Sequence, residues 1–218
     1  SLLYKALSSS KSLVFTIVAG TLYHVVLGAA QFEVIWAVED KGFNPNTFGQ
    51  INGWIFVVFG VLGSLFGGIA SDWTLRKYNL PRTWFLLILT LLFMPLAFTR
   101  YLDTDSILFW VGICSSAFSL GCFYGPVFAV IQELVPPTIK GTVVAFNLLC
   151  LNMLGIALGS ILFGILADYA VTQGYENPYT NLLVGFSCVF LVFGPILYYL
   201  AGRFYEQDKK ALIEKFKI

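Results

Sequence analysis

Chemistry in this chain of 218 residues has to come from a few polar side chains set in apolar surroundings. His24 and Gln31 lie inside one apolar run, and Glu33 follows it directly. Gly20, Gly28 and Gln31 stand four before, four after and seven after His24, a spacing that puts all four on one helix face. A polar stripe at bilayer depth is costly unless it meets water, a ligand or another polar group. It reads either as a cavity wall, shared with Tyr124, or as a histidine satisfied by a neighbouring carbonyl or serine. Glu33, about 180° around the helix from His24, either couples to protons or snorkels to the headgroups. Tyr124 belongs to Gly121-Cys-Phe-Tyr-Gly-Pro126, where a proline at mid-membrane frees a carbonyl and lets a helix flex. Asn147 and Asn152 are about 140° apart on a helix, so at most one meets a substrate while the other bonds between helices. Asp72 is followed by Arg76 and Lys77, and Glu133 precedes Pro136 and Pro137; these four are candidate partners in a gate.

The elements that must hold these residues follow from composition. The chain is 58% hydrophobic and 11% charged, with a mean hydropathy of +0.80, whereas a soluble domain is about 25% charged. Water is not its main solvent. Thirteen Lys and Arg against twelve Asp and Glu exclude a nucleic-acid binder. Cys114, Cys122, Cys150 and Cys188 lie in apolar runs, where they read as small hydrophobes, and no cofactor or metal site is expected. The charges divide the chain into six uncharged stretches: 12–32, 42–71, 83–99, 106–132, 141–167 and 177–202. A bilayer core of about 30 Å needs roughly 20 apolar residues per helix, which predicts an all-α membrane protein with six transmembrane helices over 12–38, 44–71, 82–101, 106–134, 137–168 and 178–203. Eleven Lys and Arg fall in one set of alternate loops and only Lys41 and Arg100 in the other. By the positive-inside rule both termini face the cytoplasm, with 1–11 a lead-in and the loops around Lys41, Arg100 and Glu176 outside. The tail, 204–218, places Leu212, Ile213 and Phe216 against Lys209, Lys210, Lys215 and Lys217, the pattern of a short helix on an anionic membrane surface or of a solvated tail. The chain begins at Ser1 rather than Met, which suggests a segment of something longer.

Gly63-Ser-Leu-Phe-Gly-Gly-Ile-Ala-Ser-Asp72 in the second helix aligns with Gly159-Ser-Ile-Leu-Phe-Gly-Ile-Leu-Ala-Asp168 in the fifth, 96 residues on. The two aspartates fall on opposite sides of the membrane, so the halves form a 3+3 inverted repeat, an arrangement built by transporters. Gly63, Gly67, Gly155 and Gly159 permit close helix packing. Their concentration in the second and fifth helices predicts that these two face a partner, leaving the third against lipid.

Gly68-Ile-Ala-Ser-Asp72-Trp-Thr-Leu-Arg76-Lys77 resembles the cytoplasmic loop motif of the major facilitator superfamily, departing from it at Trp73 and Leu75. The run from Tyr124 to Pro137 and the run from Asn147 to Gly159 resemble the tenth and eleventh helices of its spinster-like group. The resemblance implies the C-terminal six-helix half of a major facilitator fold. The partners it implies are an N-terminal six-helix half, membrane lipids and a small organic or lipid-like substrate, with spinster-like relatives associated with amphipathic organic anions. It further implies a secondary transporter working by alternating access, its first and fourth helices lining the cavity, its second and fifth packing on the other half, and its loop motif holding the cytoplasmic side shut. The alternative is a non-transporting six-helix membrane scaffold or receptor domain. An enzyme is not expected, since no nucleophile and base motif stands at membrane depth.

Overall fold

Every uncharged stretch folds as a helix, because in lipid a helix is the way for a single segment to bond all its own backbone polar groups. The computed structural model describes the backbone of residues 2–216 and the side chains of residues 2–212. After a lead helix, Leu2–Ser9, six spans follow: span 1 Lys11–Glu39, span 2 Pro45–Tyr78, span 3 Arg82–Tyr101, span 4 Ile107–Glu133, span 5 Pro137–Thr172 and span 6 Pro178–Leu212. The chain is an integral, multi-pass membrane protein. Caps mark several ends. The Ser10 hydroxyl accepts from the Leu13 amide, Asn44 caps a helix that opens on Pro45, and Ser106 caps span 4. Span 2 stops at Asn79, whose φ of 53° takes the left-handed conformation that terminates helices.

Helix bounds differ from the sequence expectation chiefly in three places. Span 2 runs past residue 71 to Tyr78, span 5 runs past 168 to Thr172, and the last helix does not end at 203 but continues unbroken from Pro178 to Phe216. Leu212 is buried in the same apolar core as the lead helix residue Ala6, so it is not on a membrane surface. The side chains of Ile213, Lys215, Phe216 and Lys217 lie outside the described residues.

The packing repeats with the chain. Span 2 lies along span 4 as span 5 lies along span 1; span 3 lies on span 4 as span 6 lies on span 1; spans 3 and 6 meet each other. Glycine contacts repeat at residue level. A Cβ on Gly121 of span 4 would stand 2.2 Å from the Gly60 carbonyl oxygen and 2.9 Å from the Ser64 amide, and one on Gly28 of span 1 would stand 2.3 Å from the Ile156 oxygen and 2.7 Å from the Ser160 amide. Ile156 and Ser160 are the residues 96 positions after Gly60 and Ser64. Likewise a Cβ on Gly63 would meet the Phe118 oxygen at 2.1 Å, and one on Gly159 the Val25 oxygen at 2.3 Å. The repeat is therefore a property of the packing, and chance agreement of glycine-rich helices does not account for it.

These contacts correct one expectation. Gly63 and Gly67 face span 4, and Gly155 and Gly159 face span 1, so the glycine faces are spent inside this bundle. The outward faces of spans 2 and 5 are aliphatic and aromatic instead, with Trp54, Ile69, Met153 and Ile165 well exposed.

Candidate functional site

His24 is 2% exposed, and both ring nitrogens are engaged. Nδ1 lies 2.8 Å from the Gly20 carbonyl oxygen, which can only accept, so Nδ1 carries the proton. Nε2 is then free to accept from the Tyr124 hydroxyl at 3.1 Å, giving a neutral imidazole in a fixed tautomer. Gly155 closes the pocket: a Cβ there would stand 2.4 Å from the His24 Cβ. His24 and Tyr124, expected to share a cavity, instead bond to each other, and the stripe does not continue. The α-helix of span 1 gives way to a 3₁₀ turn at Ala30–Phe32, and Gln31 within it is exposed and bonds to neither. The wall of a cavity shared with another half would be open on this half by itself. His24 is covered, so it is a satisfied interior histidine.

The two asparagines of span 5 separate, one exposed and one buried, but neither makes the bond between helices expected of one of them. Asn152 is exposed and its amide donates to the Leu148 carbonyl at 2.8 Å. Asn147 is fully buried, and neither Oδ1 nor Nδ2 has a partner in the structure. It precedes a widened π segment, Cys150–Ala157, that carries Gly155 against span 1.

Glu33 does not snorkel, because its side chain is buried in the bundle. It is 5% exposed and its Oε1 pairs with Nη2 of Arg100, itself 8% exposed. The Asn52 amide of span 2 donates to Oε2 at 3.2 Å, and Arg100 Nη1 reaches the Ser116 hydroxyl of span 4 at 3.4 Å. The guanidinium also lies over the rings of Trp36, at 5.2 Å, and Tyr101. Arg100, expected in an outer loop, is drawn inside because Gly112 lets the chain press on span 4; a Cβ there would stand 2.1 Å from the Arg100 amide nitrogen. Beside the pair is a cavity of about 60 Å³ lined by Tyr23, Ser116, Ser119, Tyr101 and Ser187.

A second network ties the ends of the spans on the lysine-rich side. Arg82, which opens span 3, bonds Asp72 at 2.7 Å through Nη2 and Glu133 through Nη1. The Tyr205 hydroxyl donates to the other Glu133 oxygen. Three residues on, Asp208 accepts from the Ser12 amide at 2.7 Å and the Ser10 hydroxyl at 3.1 Å, capping span 1. Spans 1, 2, 3, 4 and 6 are thus joined at one end. Of the expected gate residues, Asp72 and Glu133 belong to this network, but Arg76 and Lys77 do not. Arg76 is exposed, and the Lys77 ammonium lies over the rings of Trp73 and Tyr78, 4.8 and 5.3 Å from their centres. Sequence reasoning missed Arg82, Arg100 and Asn52. For Arg82 the signal was available: a cation opening span 3 beside the acidic ends of spans 2 and 4.

Residues 2–160 match the profile of the Major Facilitator Superfamily. No curated protein matches the chain. Among solved structures it is similar to a bacterial homolog of the human lysosomal transporter Spinster in an inward-facing, occupied conformation, with a TM-score of 0.75 and 17% identity over 91% of this chain and 50% of that one. The same description in an inward-facing, unoccupied conformation gives a TM-score of 0.65 and 14% identity over 97% of this chain and 50% of that one. The chain spans about half the length of the solved structures it matches.

Proposed function

The chain belongs to the Major Facilitator Superfamily, and from that premise we propose that it is the C-terminal half of a secondary active transporter that moves a small organic or lipid-like substrate by alternating access. The observation that carries the reading is the inverted repeat, two three-helix units in one register, which forms half of a two-half carrier. The exposed aliphatic faces of spans 2 and 5 then meet the N-terminal half, aided by Gly49, Gly53 and Gly60, where an added Cβ would meet nothing. The network around Arg82 and Asp208 makes the half move as one body, and the positive-inside rule puts that network and both termini in the cytoplasm.

Within the half, Gln31, Tyr124 and Asn152 are the substrate-facing candidates, since each keeps some exposure. His24 positions the Tyr124 hydroxyl. Asn147 is enclosed and takes no direct part. Of Glu33 and His24, the two candidates for ion coupling, Glu33 is retained, because it is a buried acidic side chain whose ion partner is Arg100. Proteoliposomes holding the complete two-half protein test the reading. Uptake of an amphipathic organic anion driven by an imposed ion gradient is expected. No uptake of any such solute, with the protein intact and inserted, would favour a scaffold or receptor domain.

A further inference from the structure

The cavity beside Glu33 and Arg100 has more donors than its own acceptors use. Arg100 offers five N–H groups, of which one meets Glu33 and one meets Ser116, and its Nε has no partner although the residue is more than nine-tenths buried. The Ser116 and Ser119 hydroxyl protons go to the Gly112 and Ser116 carbonyls. The Tyr23 hydroxyl therefore donates to Ser119 Oγ, at 3.3 Å. Tyr101 and Ser187 share one bond, which leaves one hydroxyl proton between them free. The unmatched donors around the cavity are thus the Arg100 Nε–H and one hydroxyl proton. At about 60 Å³ it is several times the minimum that a single water needs.

We propose that this cavity is a binding site for a small monovalent anion, of halide or formate size, which takes over Arg100 when Glu33 is protonated. Charge decides the coupling. With Glu33 ionised, Arg100 is neutralised and an added anion would be the uncompensated charge. With Glu33 protonated, Arg100 would be an unpaired cation in a low-dielectric interior, which is strongly unfavourable, unless an anion enters. Net charge at the site is zero in both states, and one proton is taken up for each anion bound. Span 1 presents Tyr23 and Glu33 to the site, span 2 Asn52, span 3 Arg100 and Tyr101, span 4 Ser116 and Ser119, and span 6 Ser187 with Cys188 next to it. Glu33 and Arg100 are the charged residues among those lining the cavity.

The inference deepens the coupling role proposed for Glu33, and equilibrium binding tests it without transport, so the two can fail separately. Purified protein in detergent is melted at constant ionic strength while sodium gluconate, too large for the cavity, is replaced by sodium formate or sodium chloride. The melting temperature of the unaltered protein should rise with formate or chloride at low pH. The anion concentration required by the unaltered protein should increase with pH. Glu33→Gln should respond at both ends of the pH range. Arg100→Gln should lose the response; if that variant does not fold, Glu33→Gln decides. A response to one of the two anions identifies the class. No response from Glu33→Gln, an equal response of the unaltered protein at all pH values, or a response retained in Arg100→Gln would each overturn the site and leave water as the occupant.

Discussion

Replacing Gly159 by alanine tests the packing most directly. The new Cβ would stand 2.3 Å from the Val25 carbonyl oxygen and 2.9 Å from its Cα, about 1.2 and 0.6 Å inside the roughly 3.5 Å at which such atoms pack. Both obstacles are backbone, so no rotamer change relieves them and span 5 has to move off span 1. Overpacking of this kind costs roughly 1–3 kcal/mol, partly offset by the gain of about 1 kcal/mol that alanine brings to a helix. At Gly53 a Cβ meets nothing, so Gly53→Ala should be neutral or stabilising by up to that gain. Unfolding of the purified protein, followed by loss of helix signal, measures both. Gly63→Ala makes the equivalent clash on the other side of the repeat, 2.1 Å from the Phe118 oxygen, and its cost should add to that of Gly159→Ala within about 0.5 kcal/mol because the two contacts are separate. Gly28 and Gly159 share one contact, since a Cβ on Gly28 would meet the Gly159 Cα at 2.9 Å; the pair Gly28→Ala and Gly159→Ala should cost less than the sum. If Gly159→Ala is as stable as Gly53→Ala, spans 1 and 5 do not meet as described and the glycines serve an outer interface after all.

Arg82→Ala should destabilise by about 3 kcal/mol through its partly buried Glu133 arm, whereas Arg76→Ala should stay within about 0.5 kcal/mol; equal effects in unfolding would refute the assignment of the network. Asn147→Leu should raise stability by about 1 kcal/mol, because it removes two buried polar atoms that bond to nothing, and a loss instead would reveal a bound water or an unrecognised partner. Tyr124→Phe should cost about 0.6–1.5 kcal/mol by stripping the donor from His24 Nε2, with no further cost when combined with a substitution of His24. In the complete protein, Gln31→Cys and Asn152→Cys should react with an impermeant maleimide and His24→Cys should not; equal rates would return His24 to the cavity wall.

Six spans, their approximate ends and the inverted repeat were legible in the order of residues, because each depends on a property a segment carries alone. The length of an apolar run decides whether it crosses a bilayer, and the sign of nearby charge biases its direction. The repeat showed at Gly63 and Gly159 because close packing restricts side-chain size at particular positions. What those glycines pack against was not legible: a missing Cβ permits approach from any neighbour, and only the assembled bundle chose spans 4 and 1. The polar residues depended on tertiary structure for a similar reason. Arg100 and Arg76 both read as loop cations, yet Gly112 draws one inside to Glu33, 67 residues away, while the other stays exposed. Glu33 and Asp72 could each have met several cations within reach of their helix ends, and the partner was settled by which backbones come close enough to exclude the rest. His24 was read as a face on an ideal helix, but the turn at Ala30–Phe32 breaks that face, and a helical spacing rule holds only while the helix does.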